Sequence, residues 1–294
     1  MSKTVYDFSK WNIITDFNVI KNEAAGVILR CGYRSGTSGK LQIDPVFVDY
    51  IAKLNALHVP VGVYFFSSAI NTTEAIEEAN FVVGLLISDV LKNIKLSFPI
   101  FIDTEYCNSN HTGRSDGLSR NARTDIIVTF INQCNAWGYA AGIYASDSWF
   151  KTKLDMNRIK DYKKWNAKYS TSRPNLCTTN MVGWQKTSNH RTSGVADRID
   201  MSEWYDDINI TKSVYTKMTP ESTNKEIVTG QKIKLNKAPL YSSSASTKVV
   251  SYKTGTYYIW NGKKYGERVR ICASSSDLGN VSKVIGWINI KDIQ

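Results

Sequence analysis

The stretch SFPIFIDTEY, residues 97–106, joins a short apolar run to two acidic side chains. An apolar run this short, following Pro99, predicts a strand buried on both faces rather than an amphipathic helix. Because side chains alternate along a strand, Asp103 and Glu105 are expected on the same side, roughly 6.6 Å apart. Two carboxyls at that spacing in a cleft raise a pKa and suit proton transfer near neutral pH. The same pattern also occurs where a strand simply ends in solvent.

The sequence on either side of this stretch alternates between strand-like and helix-like patterns up to about residue 212. It closes with three strand-like runs that have little helix between them, KKWNAKYS, MVGWQKTS and RIDMSEWY. Alternation of this kind predicts an α/β fold with a mainly parallel sheet. About eight strands in this length favour a modified (β/α) barrel of the TIM type, trimmed of helices in its last part.

A second domain is predicted at the C-terminal end. Residues 213–226 are polar and have no hydrophobic period, which is typical of a linker. Residues 227–294 contain short alternating strands broken by Gly, Ser and Asn-Gly turns, and they predict a small all-β barrel. The predicted domains are therefore residues 1–212 and 227–294.

Composition excludes several classes of protein. No apolar run approaches the roughly 20 residues of a membrane span, and the N-terminus lacks the layout of a secretory signal, so no membrane insertion is expected. The five cysteines are scattered without a C-x-x-C pair, and the three histidines lie far apart. Neither a disulfide framework nor a metal site is predicted, and carboxylates are left to carry any chemistry.

The positive charge of the chain is concentrated near its C-terminus. The net charge is +11, and residues 226–294 hold eleven Lys or Arg against four Asp or Glu. Such a surplus suits nucleic acid, a membrane surface or the acidic polymers of a bacterial wall, and it also occurs on ordinary solvated surfaces. No helix-turn-helix, zinc finger or RNP-type motif favours nucleic acid.

Carboxylates occur where several of the predicted barrel strands end. Strand ends are assigned to Asp7, to Asp103 with Glu105, and to Asp200 in the last strand. The carboxyl ends of barrel strands meet at one mouth, so these four side chains are expected to surround one pocket. Aromatic and polar residues suited to sugars occupy comparable positions, although core packing is the favoured explanation for each aromatic taken singly: Arg30, Tyr33, Tyr64, Phe66, Tyr144, Trp165, Trp184 and Gln185.

Glycoside hydrolysis matches this set of side chains. The reaction needs one carboxylic acid to protonate the leaving oxygen and another carboxylate to support an oxocarbenium-like transition state. No cofactor or metal is required.

Eight blocks in order resemble glycoside hydrolase family 25, the Chalaropsis-type lysozymes. They cover residues 5 to about 206: YDFSKWN, GVILRCGYR, VPVGVYFFSSA, FPIFIDTEY, AGIYAS, KKWNAKYS, VGWQKTS and RIDMSEWY. The resemblance implies a modified β/α barrel and an N-acetylmuramidase that cuts the β-1,4 bond between N-acetylmuramic acid and N-acetylglucosamine in peptidoglycan.

The same resemblance implies roles for individual residues. Glu105 takes the place of the catalytic acid, Asp103 that of the second carboxylate beside it, and Asp7 and Asp200 tune charge and hold substrate or water. The sugar groove is implied at Tyr64, Tyr144, Trp165 and Gln185, with a basic residue at Arg30. The chain departs from the family pattern at Phe8 and at Ser202, which puts a ligand role for Ser202 in doubt.

The C-terminal domain resembles the bacterial SH3-like wall-binding domains. The resemblance rests on LNKAPLYSSSASTKVVSYKTG, RVRICAS and GWINIKDI, and it implies an anchor to the wall. Candidate wall-binding residues, which are equally candidates for the core, are Tyr257, Tyr258, Trp260 and Trp287. Lysozyme plus anchor is the layout of phage endolysins, which accumulate in the host cytoplasm until a holin opens the membrane.

Two alternatives stand beside a muramidase. One is a non-catalytic wall-binding protein on a degenerate hydrolase fold, against which the intact D-x-E argues. The other is a hydrolase of another polysaccharide such as chitin. The expected partner is bacterial peptidoglycan rather than nucleic acid.

Overall fold

The computed structural model describes residues 2–175, 179–208, 227–244, 246, 248–265 and 267–293. The chain forms two compact units, Met1–Met218 and Thr219–Gln294. The predicted linker at 213–226 and Cys177 lie outside the described residues.

The described residues of the first unit form nine strands. They are β1 Lys3–Phe8, β2 Gly26–Arg34, β3 Leu41–Ile43, β4 Val61–Phe66, β5 Leu96–Asp103, β6 Ala141–Ser146, β7 Lys163–Ala167, β8 Met181–His190 and β9 Ile199–Trp204. Eight of them close a barrel in the order β1-β2-β4-β5-β6-β7-β8-β9, and β3 pairs with the outer end of β2. Neighbouring strands of the barrel are parallel from β1 through β8, whereas β9 runs antiparallel to both β8 and β1. The outer strand β3 runs antiparallel to β2. The predicted modified barrel is confirmed, whereas the short strand β3 was not predicted.

Helices follow most of the parallel strands. They are α1 Phe17–Glu23, α2 Phe47–Ala56, α3 Thr72–Leu86, α4 Arg120–Ala136, α5 Asp147–Thr152 and α6 Met156–Ile159. Five of these begin at a polar side chain that accepts a hydrogen bond from a backbone N–H of the first turn, which satisfies a donor the helix cannot: Asp16, Asn71, Ser119, Ser146 and Asp155. No helix lies between β7, β8 and β9 among the described residues, as the three closing runs predict.

An aromatic cluster fills the inside of the barrel below the mouth. Phe98, Phe101, Trp165 and Trp204 are all buried there. Gly183 makes room for it, because a Cβ at this position would lie 2.5 Å from the Trp204 ring. The barrel is therefore closed underneath, and side chains placed one layer higher have to form the floor of any site.

That higher layer follows from strand alternation. Asp7 lies two residues beyond the buried Val5, Asp103 two beyond Phe101, and Gln185 two beyond Gly183. Residues two apart share a face of the strand, so these polar side chains point into the same space above the aromatic cluster.

In the second unit, the residues that the structure describes form a closed barrel of four antiparallel strands. They are β10 Lys232–Tyr241, β11 Val249–Ile259, β12 Arg268–Cys272 and β13 Val284–Asn289. Alternate residues point inward, so the core is almost wholly aliphatic: Ile233, Leu235, Leu240, Ile259, Val269, Ile271 and Ile288 are among its buried members. Short 3-10 turns occur at Ser275–Asp277, Val281–Lys283 and Ile290–Asp292.

Two further findings bear on the predictions from composition. Within the described ranges, no helix is long and apolar enough to cross a membrane. The four cysteines in the described part of the chain are free thiols: Cys31, Cys107, Cys134 and Cys272.

Candidate active site

A pocket of about 550 Å³ opens at the mouth of the first barrel. Asp103, Glu105 and Asp200 line it together with Arg30 and Tyr64. Asp7 is buried beside it. The structure thus brings the four carboxylates into one region, although they come from positions nearly two hundred residues apart in the sequence.

Asp200 reaches the mouth in a different way from the other carboxylates. The prediction that it ends the last strand is wrong, because it lies near the start of β9. Since β9 runs antiparallel to β1, its start is the end that faces the pocket, and Asp200 pairs directly with Asp7 across the two strands. Side chains directly opposite in an antiparallel pair have Cβ atoms about 5 Å apart on the same face.

Asp103 and Glu105 differ in their exposure. Asp103 is the last residue of β5 and is only 3% exposed, and its Oδ1 atom has no hydrogen-bond partner among the described residues. Glu105 lies two residues beyond the strand, and water reaches its carboxyl through the mouth while protein atoms crowd its other sides. One carboxyl is thus held in the floor, and the other stands in the pocket where a glycosidic oxygen can approach it.

Burial raises the pKa of every carboxyl in this group, and repulsion from a neighbouring carboxyl raises it further for Asp7, Asp103 and Glu105. Burial, followed by repulsion from Asp200, raises the pKa of Glu105 to about 7, while Arg30 opposes the shift. Burial raises the pKa of Asp200 to about 6. For Asp103 burial is again the largest cause, followed by Glu105, and for Asp7 burial is followed by Asp200; both pKa values lie well above the usual range. Glu105 therefore keeps a proton available near neutral pH, as general-acid catalysis requires.

Gln185 connects the floor of the pocket. Its Nε2 donates to Asp7 Oδ2 at 3.0 Å, and its Oε1 accepts from the hydroxyls of Tyr144 at 2.8 Å and Tyr169 at 3.1 Å. Gln185 is only 2% exposed and its amide is engaged on both sides, so it orients Asp7 and Tyr144 rather than facing a sugar. The sequence reasoning did not find Tyr169, which lies four residues after Trp165.

Trp165 does not line the pocket. The ring is 1% exposed, and its Nε1 donates to Ser202 Oγ at 2.9 Å. Its edge-to-face contacts include Tyr144 at 4.7 Å and Tyr64 at 6.2 Å between centroids. The implied sugar contact of Trp165 is therefore wrong, because the ring is buried inside the barrel. Its role is to pack against the two tyrosines. Ser202 is its hydrogen-bond partner.

Arg30 is fixed by a buried carboxylate. Its Nε donates to Asp44 Oδ2 at 2.7 Å, and the same oxygen accepts from the backbone N–H of Lys10 at 3.1 Å. A second guanidinium nitrogen of Arg30 is buried without a partner among the described residues. The charge therefore stays beside Glu105 and Asp103, where it lowers both of their pKa values.

The loop that carries Glu105 is tied down at several points. Asp116 accepts hydrogen bonds from the backbone N–H of Cys107 and of Gly113, both at 2.9 Å. Arg123 donates to Thr104 Oγ1 at 3.2 Å and to the carbonyl of Ser115. A general acid held by its flanking residues keeps its position when substrate binds.

The rim of the pocket holds residues that the sequence reasoning passed over. They include Ser9, Lys10, Trp11, Tyr106 and Asn108, while Tyr33 and Phe66 occur there as anticipated. Trp11 is 73% exposed, and the Lys10 ammonium lies 4.7 Å from its ring and 5.3 Å from the ring of Tyr33. Trp11 follows Asp7 by four residues, and this position just after a strand end is the sequence feature that could have predicted a place on the rim.

The four wall-binding candidates of the second unit are less open than the sequence suggested. Trp260 and Trp287 are 9% and 8% exposed, Tyr257 packs against the aliphatic core, and Tyr258 is half-buried. In the part of the chain that the structure describes, no group of three or more His, Cys, Asp or Glu side chains could hold a metal ion.

Comparisons with known proteins bear on this site. The sequence profile of Glycosyl hydrolases family 25 matches residues 6–195. No curated protein matches the chain. The modular autolysin LytC from Streptococcus pneumoniae, solved in complex with a synthetic peptidoglycan ligand, is 28% identical with a TM-score of 0.61. The match covers 69% of this chain and 47% of the autolysin, so the chain matches about half the length of that protein.

Two more distant structures share the fold. The catalytic domain of endolysin ply40 from bacteriophage P40 of Listeria monocytogenes is 24% identical, with a TM-score of 0.55 over 71% of this chain and 95% of that one. The spore cortex lytic enzyme SleM of Clostridium perfringens is 14% identical, with a TM-score of 0.59 over 99% of this chain and 85% of its own.

Proposed function

The chain belongs to family 25 of the glycosyl hydrolases, and from this premise we propose that it is a peptidoglycan hydrolase with N-acetylmuramidase activity. In this proposal it cleaves the β-1,4 bond between N-acetylmuramic acid and N-acetylglucosamine. The observation that carries the proposal is the position of Glu105, with a pKa raised to about 7, in one pocket with Asp103 and Asp200.

The chemistry divides between a proton donor and an ionised carboxylate. Glu105 retains its proton to about pH 7 and donates it to the leaving glycosidic oxygen. Asp200, with a pKa of about 6, is ionised at neutral pH and stabilises the positive charge that develops on the sugar. Asp103 lines the floor of the same pocket and is the second carboxyl beside Glu105.

The first test compares hydrolysis by the full chain and by Glu105→Gln on purified Gram-positive walls, followed as loss of turbidity. We expect the substitution to lower the rate by about 10²–10⁴-fold, the usual contribution of a general acid. Glu23→Gln makes the same change at an exposed residue at the end of α1 and is expected to keep the full rate. Full clearing by Glu105→Gln would refute the role of Glu105.

Product analysis tests the bond. Borohydride reduction of the digest labels new reducing ends, and a muramidase leaves muramic acid there. Glucosamine at these ends would instead indicate a glucosaminidase or a chitinase. Wall binding without any new reducing ends would favour the non-catalytic alternative.

We propose that the second unit is an SH3-like module that anchors the chain to the wall. Its closed four-strand barrel and its surplus of basic residues support this proposal. Sedimentation of the full-length Glu105→Gln variant with walls measures binding without hydrolysis. Binding that weakens as salt rises agrees with a basic anchor, and absence of binding contradicts it.

We also propose that the protein acts as a phage endolysin, held in the host cytoplasm until a holin-type release. The four free thiols suit a reducing compartment. Expression in a susceptible host should cause lysis only when a holin is co-expressed. Lysis without the holin would indicate export and an autolysin.

A further inference from the structure

One arginine on the outer face of the second barrel is enclosed by aromatic rings. The guanidinium carbon of Arg270 lies 4.7 Å from the ring centroid of Trp287, 5.3 Å from that of Tyr265 and 5.4 Å from that of Trp260. Tyr265 and Trp287 also meet edge to face at 4.8 Å. We call these four residues the Arg270 cluster.

The strand pattern places the cluster outside the core. Val269 and Ile271 on either side of Arg270 are fully buried in the barrel, so Arg270 points the other way. Arg270 pairs with Trp287 across β12 and β13, and its carbonyl accepts from the backbone N–H of Trp260 at 2.9 Å. The register of the barrel therefore fixes the guanidinium among the rings.

Two side-chain donors of the cluster lack acceptors in the part of the chain that the structure describes. Among the described residues, the Arg270 guanidinium makes neither an ion pair nor a hydrogen bond, and the buried Nε1 of Trp260 also has no partner. Arg268 provides the contrast two residues earlier on the same face. Its Nε donates to Asn289 at 3.1 Å, and its Nη1 donates to the carbonyls of Ser243 at 3.0 Å and Ser246 at 2.7 Å.

The surroundings favour an anion. Lys263 and Lys264 are exposed in the turn just before Tyr265, and the whole segment 226–294 carries seven more basic than acidic residues. A guanidinium presents its N–H groups as a planar fork that fits two oxygens of one phosphate, and aromatic rings on its faces hold it ready for that contact.

We propose that the Arg270 cluster binds phosphodiester groups of an anionic polymer of the bacterial wall. Arg270 donates to the non-bridging oxygens of one phosphate, and Lys263 and Lys264 attract the neighbouring repeats of the polymer. A polymer with a negative charge in every repeat can contact the guanidinium and both lysines at the same time. A single carboxylate can contact only one of these groups. The inference rests on the proposed anchoring function and names the ligand of that anchor.

The test uses the full chain carrying Glu105→Gln, so that walls stay intact. Binding is measured by sedimentation with purified walls, before and after cold hydrofluoric acid removes the phosphodiester-linked polymers. Calorimetric titration of the same chain with soluble polyglycerol phosphate measures binding to the polymer in the absence of a wall. Arg270→Gln removes the fork, and Arg270→Lys keeps the charge without it.

Lys234→Gln is the matched control, because it removes one exposed positive charge from β10 outside the cluster. We expect Arg270→Gln to raise the dissociation constant about tenfold and Lys234→Gln to raise it less than about threefold. Arg270→Lys is expected between them, with an unchanged melting temperature. Extraction of the walls should abolish the difference between Arg270→Gln and the parent chain.

The inference is overturned by equal effects of Arg270→Gln and Lys234→Gln, or by equally tight binding to extracted walls. Retained dependence on Arg270 after extraction would point to carboxylates of the wall peptides and also contradict the phosphodiester assignment. Failure of the parent chain to bind either kind of wall contradicts the proposed anchor itself. Wall binding that is unchanged by Arg270→Gln contradicts the assignment of the Arg270 cluster and leaves the proposed anchor standing.

Discussion

Asp7 and Asp200 face each other across the antiparallel pair of β1 and β9, as direct partners in register. Like charges in such a pair repel, and the more deeply buried residue, Asp7, takes the larger effect: burial and then Asp200 raise its pKa well above the usual range. The closing strand of the barrel thereby places a second carboxyl against the first and raises the proton affinity of the whole group.

Asp200→Asn should move the pH profile of hydrolysis toward acid. Burial still raises the pKa of Glu105 in this variant, but the repulsion from Asp200 is gone, so Glu105 loses its proton at a lower pH than about 7. The alkaline limb of the rate profile on purified walls measures this change. Asp197→Asn, an exposed residue just before β9, should leave the limb where it is. An unmoved limb in Asp200→Asn would show that Glu105 does not sense Asp200.

Glu105→Gln should stabilise the fold at neutral and alkaline pH. The pKa of Glu105 is about 7 in the folded chain against 4.5 in the ordinary group, so the folded state binds the proton more tightly than the unfolded state. Stability from this residue is therefore complete below about pH 4.5 and is lost as pH rises through about 7. Melting temperatures across pH 4–8 should separate the variant from the parent chain only at the upper end. A constant difference at all pH values would contradict the shift.

Gln185→Leu should lower the free energy of unfolding and also raise the pKa of Asp7. The substitution leaves Asp7, Tyr144 and Tyr169 without the amide that joins them, at an expected loss of about 1–3 kcal/mol in the free energy of unfolding. Because Gln185 holds the pKa of Asp7 down, its removal raises that pKa further. Urea unfolding measures the loss. Tyr169→Phe removes only the half-exposed hydroxyl and should cost about 1 kcal/mol or less.

Substitutions of Trp11 and Trp165 should have different effects: the first should weaken substrate binding, and the second should lower the stability of the fold. Trp165→Phe loses the hydrogen bond to Ser202 and leaves a void in the barrel interior, so it should lower the free energy of unfolding by about 1–3 kcal/mol. Trp11→Ala removes an exposed rim ring, so it should change stability by no more than about 0.5 kcal/mol and raise KM about threefold to tenfold. Unfolding curves and KM on soluble wall fragments measure the two effects. A raised KM with intact stability in Trp165→Phe would contradict the assignment.

The sequence predicts the barrel because strand periodicity and helix periodicity alternate over most of the chain. It also predicts which carboxylates gather, since residues at the carboxyl ends of parallel strands meet at one mouth. It does not reveal that β9 is reversed, because an isolated run such as RIDMSEWY has the same alternation in either direction. Asp200 was predicted to reach the pocket because it ends a parallel strand. It lies there because it begins an antiparallel one.

The roles of Trp165 and Gln185 depend on depth, which a single sequence encodes poorly. Both lie on the inner face of their strands, and that much follows from alternation. Whether a side chain on that face touches a ligand or supports one that does depends on the layer it occupies in the barrel. Gly183 marks the lower layer, because it leaves space for the Trp204 ring, and such glycines are a signal that sequence reasoning could use.

Lys3 pairs with Trp204, so the first and last strands of the first barrel begin and end side by side. Strands β9 and β1 are antiparallel neighbours, so they are arranged as the two arms of a hairpin whose turn is missing. A tight turn from Trp204 to Lys3 would make the closure continuous and permit new termini in any exposed loop of this unit. In such a circular permutant Asp200 and Asp7 become members of one local hairpin, so that the two carboxylates meet through a turn of a few residues instead of through the closure of the entire barrel.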